Sequence, residues 1–245
     1  MIDGDGNYDA GRMREDVQKI VTTQIELMGG EVPYKDYTFI LHLRATAGGG
    51  LEHANSTALG YPRFGFQIKK GDRLSSAAPT PSAAGQPERD YRGFLSLVAH
   101  EFFHLWNVKR IRPDALGPFD YTKENYTRLL WVAEGLTDYY ADITLRRAGL
   151  ITDKEFLATA AKAIQSLQNT PGRLVQSAEE SRFDTWVKFY RQDENSINSQ
   201  ISYYDKGAIL GLLLDLEIRK LSSGAKSLDD FSKLKDRFIH RTADQ

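Results

Sequence analysis

The sequence predicts an α+β domain of 245 residues, with a small strand-containing N-terminal part followed by a mostly helical part. Three observations carry this. Before residue 70, apolar spacing changes from helical to a run of β-branched and aromatic residues. After residue 90, four long apolar-periodic stretches follow one another with helix start and stop signals between them. Cysteine is absent and hydrophobic residues make up 41% of the chain, so the fold rests on a buried core and not on disulfides or thiolate metal sites.

Val17, Ile20, Val21, Ile25 and Met28 recur at intervals of three and four, which predicts an amphipathic helix, and Gly29-Gly30 supplies its stop. Tyr37 to Leu43 predicts a strand. Gly48-Gly49-Gly50 interrupts the chain, and a further strand is expected around Tyr61 to Lys69. Gly71 to Pro87 is rich in Ala, Ser and Pro and predicts a surface loop. Tyr91 to Val108 predicts a buried helix, and Tyr126 to Ala148 contains a second strong helical stretch. Thr152 to Leu167 predicts a third, with Thr152 as N-cap and a Pro171-Gly172 turn beyond its end. Lys206 to Leu221 predicts a fourth, and a last segment begins at Ser227. The expected organisation is one domain over 1–245, made of a helix plus strands over 1–70, a flexible loop over 71–90 and a helical part over 91–245.

Charge is balanced, 32 Lys+Arg against 33 Asp+Glu, which argues against a nucleic-acid binder. The first residues contain no apolar signal region, and the longest apolar run, Ala208 to Leu214, is far short of the ~20 residues a membrane span needs. A soluble protein without membrane insertion is expected.

The chemistry concentrates at His100-Glu101-Phe102-Phe103-His104. On a helix, positions i and i+4 share a face, so both imidazoles can reach one zinc ion, and Glu101 is placed to act on a water as general base. With five histidines in the chain, composition gives a chance expectation of about 0.005 such motifs. Leu95, Val98, Ala99, Phe102, Phe103, Leu105 and Trp106 surround the motif, and burying two imidazoles and a carboxylate among them is costly unless a metal satisfies them.

A catalytic zinc usually takes three protein ligands, and without cysteine the third must be His, Asp or Glu. Glu134, in Trp131-Val132-Ala133-Glu134-Gly135, lies in an apolar stretch, whereas Glu124 lies among Thr122, Lys123 and Asn125 and reads as solvated. Asp138 is one helical turn past Glu134, a spacing that suits a carboxylate accepting from the far nitrogen of a ligating histidine. Glu52 follows the three glycines, and by spacing alone it is either an exposed loop residue or an anchor for a cationic peptide N-terminus. Tyr203 and Tyr204 are either packing residues at a helix start or donors to an oxyanion.

Together and in this order, PYKDYTFILHL, GGLEHANST, HEFFHLWNVKRIRP, LLWVAEGLTDYYADITLRRAGL, TPGRLVQSAEESRFDTW and ISYYDKGAILGLLLDLEIR resemble the glycyl aminopeptidases, gluzincin metallopeptidases related to the aminopeptidase N group. The resemblance implies a thermolysin-like gluzincin catalytic domain binding one Zn²⁺ per chain through His100, His104 and Glu134, with Glu101 as base. It makes GGLEH the exopeptidase motif, so that Gly49, Gly50 and Glu52 bind substrate and Glu52 holds its α-amine. Tyr204, with Tyr203 as rival, would stabilise the tetrahedral intermediate. The implied activity is removal of small N-terminal residues, Gly or Ala, from peptides with a free N-terminus. Full-length members also carry an N-terminal β-rich domain and a C-terminal PDZ-like domain, both expected to be absent here. A zinc endopeptidase and a non-catalytic peptide-binding module on the same fold are the alternatives.

Overall fold

A four-stranded sheet organises the N-terminal part. Its strands are β1 (Ile2–Asp3), β2 (Thr38–Arg44), β3 (Gly50–Glu52) and β4 (Ser56–Pro62), in the order β1-β2-β4-β3. β2 is parallel to β1 and β4, and β3 closes the edge antiparallel to β4, with Gly50 opposite Leu59 and Glu52 opposite Thr57. The structure, a computed structural model, describes residues 1–67, 90–118, 120–182, 193–231 and 233. The expected loop over 71–87 lies outside them.

The helices are α1 (Ala10–Leu27), α2 (Tyr91–Phe103), α3 (Leu136–Arg147), α4 (Asp153–Gln168), α5 (Ser196–Ser199) and α6 (Tyr203–Leu221). Asp9 caps α1 by accepting from Arg12 N–H at 3.0 Å. The helix stops where the glycine pair predicts. Gly29 N–H donates to Glu26 O and Gly30 N–H to Ile25 O, with positive φ of 101° and 89° at the two glycines. Thr152 caps α4 in a reciprocal box: Glu155 N–H donates to Thr152 Oγ1 at 3.2 Å, and Thr152 N–H donates to Glu155 Oε2 at 2.7 Å.

Two expectations about element bounds are corrected. The strand expected over Tyr61 to Lys69 lies earlier, over Ser56–Pro62, because Gly65 N–H donates back to Pro62 O and turns the chain. The helix expected to reach Val108 ends at Phe103, with His104 as its C-cap, because Ile111 N–H folds back onto Trp106 O. The helical stretch expected within Tyr126 to Ala148 is present, opening with a π-turn, Trp131–Gly135, and continuing as α3. Upstream of it Tyr126 and Leu129 are 49% and 44% exposed, apolar in composition but not in placement.

The chain groups into two units, Met1–Leu105 with Tyr140–Phe156, and Trp106–Tyr139 with Leu157 onward. The first unit holds the sheet, α1 and α2. Its core joins Ile20, Leu41, Leu43, Leu59, Tyr61, Phe94, Leu95, Val98 and Leu145. Tyr61 Oη donates to Asp90 O at 2.6 Å and its ring meets Phe94 at 5.4 Å, which fixes the start of α2 against the sheet. Gln24, fully buried, donates to Ala99 O at 2.7 Å and Thr144 Oγ1 at 3.1 Å, pinning the middle of α2 from the α1 side. In the second unit the backbone of α6 runs directly against the π-turn: a Cβ on Gly135 would lie 2.4 Å from Gly207 Cα.

Candidate functional site

Within the first unit, α2 carries His100 and Glu101, and His104 stands at its cap, where φ −58° and ψ −17° keep the helical turn going. The i, i+4 relation therefore survives although the helix ends early. The two imidazoles meet edge to face, with Nε2 atoms 3.0 Å apart. His104 is 2% exposed and Glu101 is 5% exposed.

The edge strand delivers the next group. Side chains alternate along β3, so Gly50 and Glu52 share a face and Leu51 takes the other, where it is 58% exposed. The Gly50 face is the Glu101 face: a Cβ on Gly50 would lie 2.3 Å from Glu101 Cδ. Two residues on, the Glu52 carboxylate joins the cluster, and ligand atoms of Glu52, Glu101 and His104 all lie within 4.8 Å of one another. Gly49, at φ +80°, has open space around it, and its carbonyl accepts from Gly60 N–H at 2.9 Å.

One aromatic residue beside these carboxylates was not singled out from the sequence. Tyr37 stacks edge to face on Phe102 at 4.9 Å and meets Phe39 at 5.1 Å, and its buried hydroxyl has no hydrogen-bond partner among the described residues. Burial, and then the charges of Glu101, Tyr34 and Glu52, push its pKa up, so the phenol stays a protonated donor. The signal was hidden because Tyr37 opens a run that reads as ordinary strand.

The second unit holds the remaining candidates. Glu134 sits in the π-turn between buried Ala133 and Gly135. Asn107 spans that turn: its Nδ2 donates to Val132 O at 2.9 Å, Ala133 O at 3.0 Å and Thr137 Oγ1 at 2.9 Å. Asp138 follows in α3, and its charge, after burial, helps to raise the pKa of Asp205. Tyr203 and Tyr204 stack at 4.5 Å at the start of α6, capped by Ser202. Tyr203 is 1% exposed and packs inward, whereas Tyr204 is half-buried. Glu124 is exposed, as its polar neighbours predict.

A family model, M61 glycyl aminopeptidase, matches residues 93–210, a stretch that contains the histidine motif, Glu134, Asp138 and both tyrosines. A crystal structure of an aminopeptidase N family protein from Idiomarina loihiensis is 37% identical over 98% of this chain, with a TM-score of 0.82. Together the two matches support the M61 glycyl aminopeptidase family for this chain. It spans 38% of the length of the Idiomarina protein. No curated protein matches it. The mixed α+β architecture expected from the sequence agrees with that neighbour, and among the described residues no helix is long and apolar enough to cross a membrane.

For a chain similar to this family the question is whether the residues present suit a divalent cation. Two ligands at a tetrahedral angle and about 2.0–2.1 Å from one zinc ion stand roughly 3.3 Å apart, close to the separation of the two Nε2 atoms. Imidazole and carboxylate are the donors zinc takes when thiolates are absent, and buried carboxylates gathered beside imidazoles call for a compensating cation. Gly50 contributes by lacking a side chain, since any Cβ there would occupy the space of the Glu101 carboxylate. The donor set fits.

Proposed function

We propose that this chain is the catalytic part of a zinc-dependent aminopeptidase that removes a small N-terminal residue, Gly or Ala, from peptides with a free N-terminus. The observation that supports it best lies within the first unit, where Glu52 on the sheet edge and Glu101 and His104 on α2 converge within 4.8 Å. Similarity to the peptidase family supplies the reaction class. Convergence of an edge-strand carboxylate on a helix-borne base supplies the reason for an exopeptidase.

His100 and His104 are assigned as metal ligands on geometry and donor type. Glu134 is assigned as the third on its place in the sequence pattern and its apolar setting. A zinc ion so held supplies Lewis-acid polarisation of the scissile carbonyl and lowers the pKa of a water toward ~7. The protein's own part follows from where its groups stand. Glu52 lies at the end of the edge strand β3, which pairs with β4. It binds the α-ammonium and sets the register one residue from the N-terminus. Glu101, nearly excluded from solvent, takes a proton from the attacking water and passes it to the leaving amine. Tyr204, rather than the interior Tyr203, donates to the developing oxyanion. Asp138 orients a ligating imidazole.

The test uses two peptides that begin with glycine and differ only in N-terminal acetylation, incubated with zinc-loaded protein and read by mass spectrometry. Loss of glycine from the free peptide alone, abolished by a chelator, is the expected result. Internal cleavage of both peptides would replace the reading with an endopeptidase, and zinc binding at one per chain without cleavage would replace it with a peptide-binding module.

A further inference from the structure

We infer that Asn107 positions the third metal ligand: its side-chain amide holds the π-turn Trp131–Gly135 open and thereby sets the direction of Glu134. This rests on the reading of Glu134 as a ligand, and the test below separates the two.

A π-turn widens the helix by one residue and loosens the carbonyls at its mouth from the regular ladder. Left without partners, those carbonyls would favour closure to an ordinary α-turn, which would rotate Glu134 about the helix axis by about 100°, the angle per residue. Asn107 removes that drive. Its amide contacts Val132 O and Ala133 O, the two carbonyls immediately before Glu134, and Thr137 Oγ1, three residues after it. Thr137, fully buried, in turn donates to Ala133 O at 2.6 Å, so the Ala133 carbonyl is held by two donors. An NH₂ group has only two hydrogens, so one is shared between acceptors. A leucine of the same size could fill the space but supply neither.

The opposite side of the turn is fixed by close backbone approach. A Cβ on Gly207 would lie 2.5 Å from Trp131 O, and one on Gly135 would lie 2.4 Å from Gly207 Cα. α6 therefore limits how far the turn can move, and Asn107 chooses its winding.

Asn107 is itself held by a tight loop. Ile111 N–H donates to Trp106 O at 2.8 Å and Val108 N–H to Ile111 O at 2.9 Å. Val108 sits at φ +127°, a strained region that a β-branched residue rarely enters. Such strain persists only where neighbours over-determine the backbone, and here the loop presents the Asn107 amide to the π-turn.

The experiment uses the full chain, with Zn²⁺ and Co²⁺ as the only probes, on wild type, Asn107→Ala, Thr137→Val and Glu134→Gln. Zinc affinity is measured by chelator competition, coordination by the visible absorption of the cobalt form, and stability by thermal melting of the metal-free protein. For Asn107→Ala a roughly 10–100-fold weaker zinc affinity is expected, the range for lost supports of a ligand, with a cobalt spectrum shifted in the direction of Glu134→Gln. The loss must appear at temperatures where the metal-free variant is fully folded. Wild-type affinity and spectrum in folded Asn107→Ala would overturn the inference, as would a loss no larger than its unfolded fraction explains. If Asn107→Ala does not fold, Thr137→Val carries the same test, with a several-fold loss expected and wild-type behaviour refuting. Wild-type affinity in Glu134→Gln would instead remove the ligand reading, and the inference with it.

Discussion

Gly50→Ala probes the site where it is tightest. The added Cβ would stand 2.3 Å from Glu101 Cδ and 2.4 Å from both Cγ and Oε1. Ordinary carbon–carbon contact is about 3.5–4.0 Å, so one partner must retreat by roughly 1.2 Å or more. The strand is held in register by β4, whereas Glu101 ends in a rotatable carboxylate, so the carboxylate moves. A misplacement of about 1 Å in a catalytic group costs on the order of 100-fold, or about 2.7 kcal/mol in the barrier. The stability cost is smaller. Overpacking takes about 1–3 kcal/mol, and replacing glycine by alanine in a strand returns roughly 0.5–1 kcal/mol. The assay is steady-state cleavage of a glycine-initiated peptide, alongside zinc content and thermal melting. A hundredfold fall in kcat is expected, with KM and bound zinc near wild type, because displacing a base removes an interaction made in the transition state. Leu51→Ala, on the exposed opposite face, should change none of these. A Gly50→Ala protein within threefold of wild-type kcat would refute the reasoning, since Glu101 could not then act from beside Gly50.

Three further outcomes are expected. Glu101→Ala should keep one zinc per chain and lose about 10²–10⁴-fold in turnover, and near-normal turnover would remove it as the base. Tyr204→Phe should lower kcat by about 10²–10³-fold, while Tyr203→Phe should leave kcat within a few-fold, and the reverse pattern would exchange their roles. Asp215 is 5% exposed; burial works to raise its pKa, but hydrogen bonds from Leu228 N–H, Arg219 Nε and Tyr139 Oη outweigh this and hold it below the ordinary carboxylate value. A depressed folded pKa contributes stability above about pH 4, lost as the pH falls through the folded value. Urea midpoints between pH 7 and 3 should therefore fall less steeply with acid in Asp215→Asn than in wild type, and parallel curves would remove Asp215 as a source of acid sensitivity.

The sequence shows which groups can do chemistry better than it shows how they are aimed. The motif at His100 to His104 is legible because side-chain chemistry and helical period coincide, and α1 is legible because its period and its glycine stop agree. The start of β4 is hard to read because Ser56, Thr57, Ala58 and Gly60 are small or polar and leave Leu59 as the one large apolar residue before Tyr61. Tyr61 and Pro62 end the strand, and the aromatic Phe64 and Phe66 beyond them suggest a continuation that the turn at Gly65 interrupts. The end of α2 is hard to read for a related reason: Leu105, Trp106 and Val108 are apolar enough to continue a helix, whereas the chain turns through the local bonds of the 106–111 loop.

The same distinction separates two kinds of functional residue. Glu101 and Glu134 announce themselves as carboxylates in apolar runs, since an unpaired charge there is expensive. Gly50 and Asn107 carry no such signal. Gly50 acts through the side chain it lacks, and its effect exists only once strand pairing brings that position to Glu101. Asn107 acts on carbonyls of Val132 and Ala133, some 25 residues away, that an α-helix would have satisfied internally. Apolar periodicity cannot report the π-turn, because one inserted residue shifts the hydrophobic face by a single position within a stretch that is apolar on most sides. On the proposed reading, catalytic geometry rests on a missing Cβ and a backbone-directed amide, and both become visible only at the level of tertiary contact.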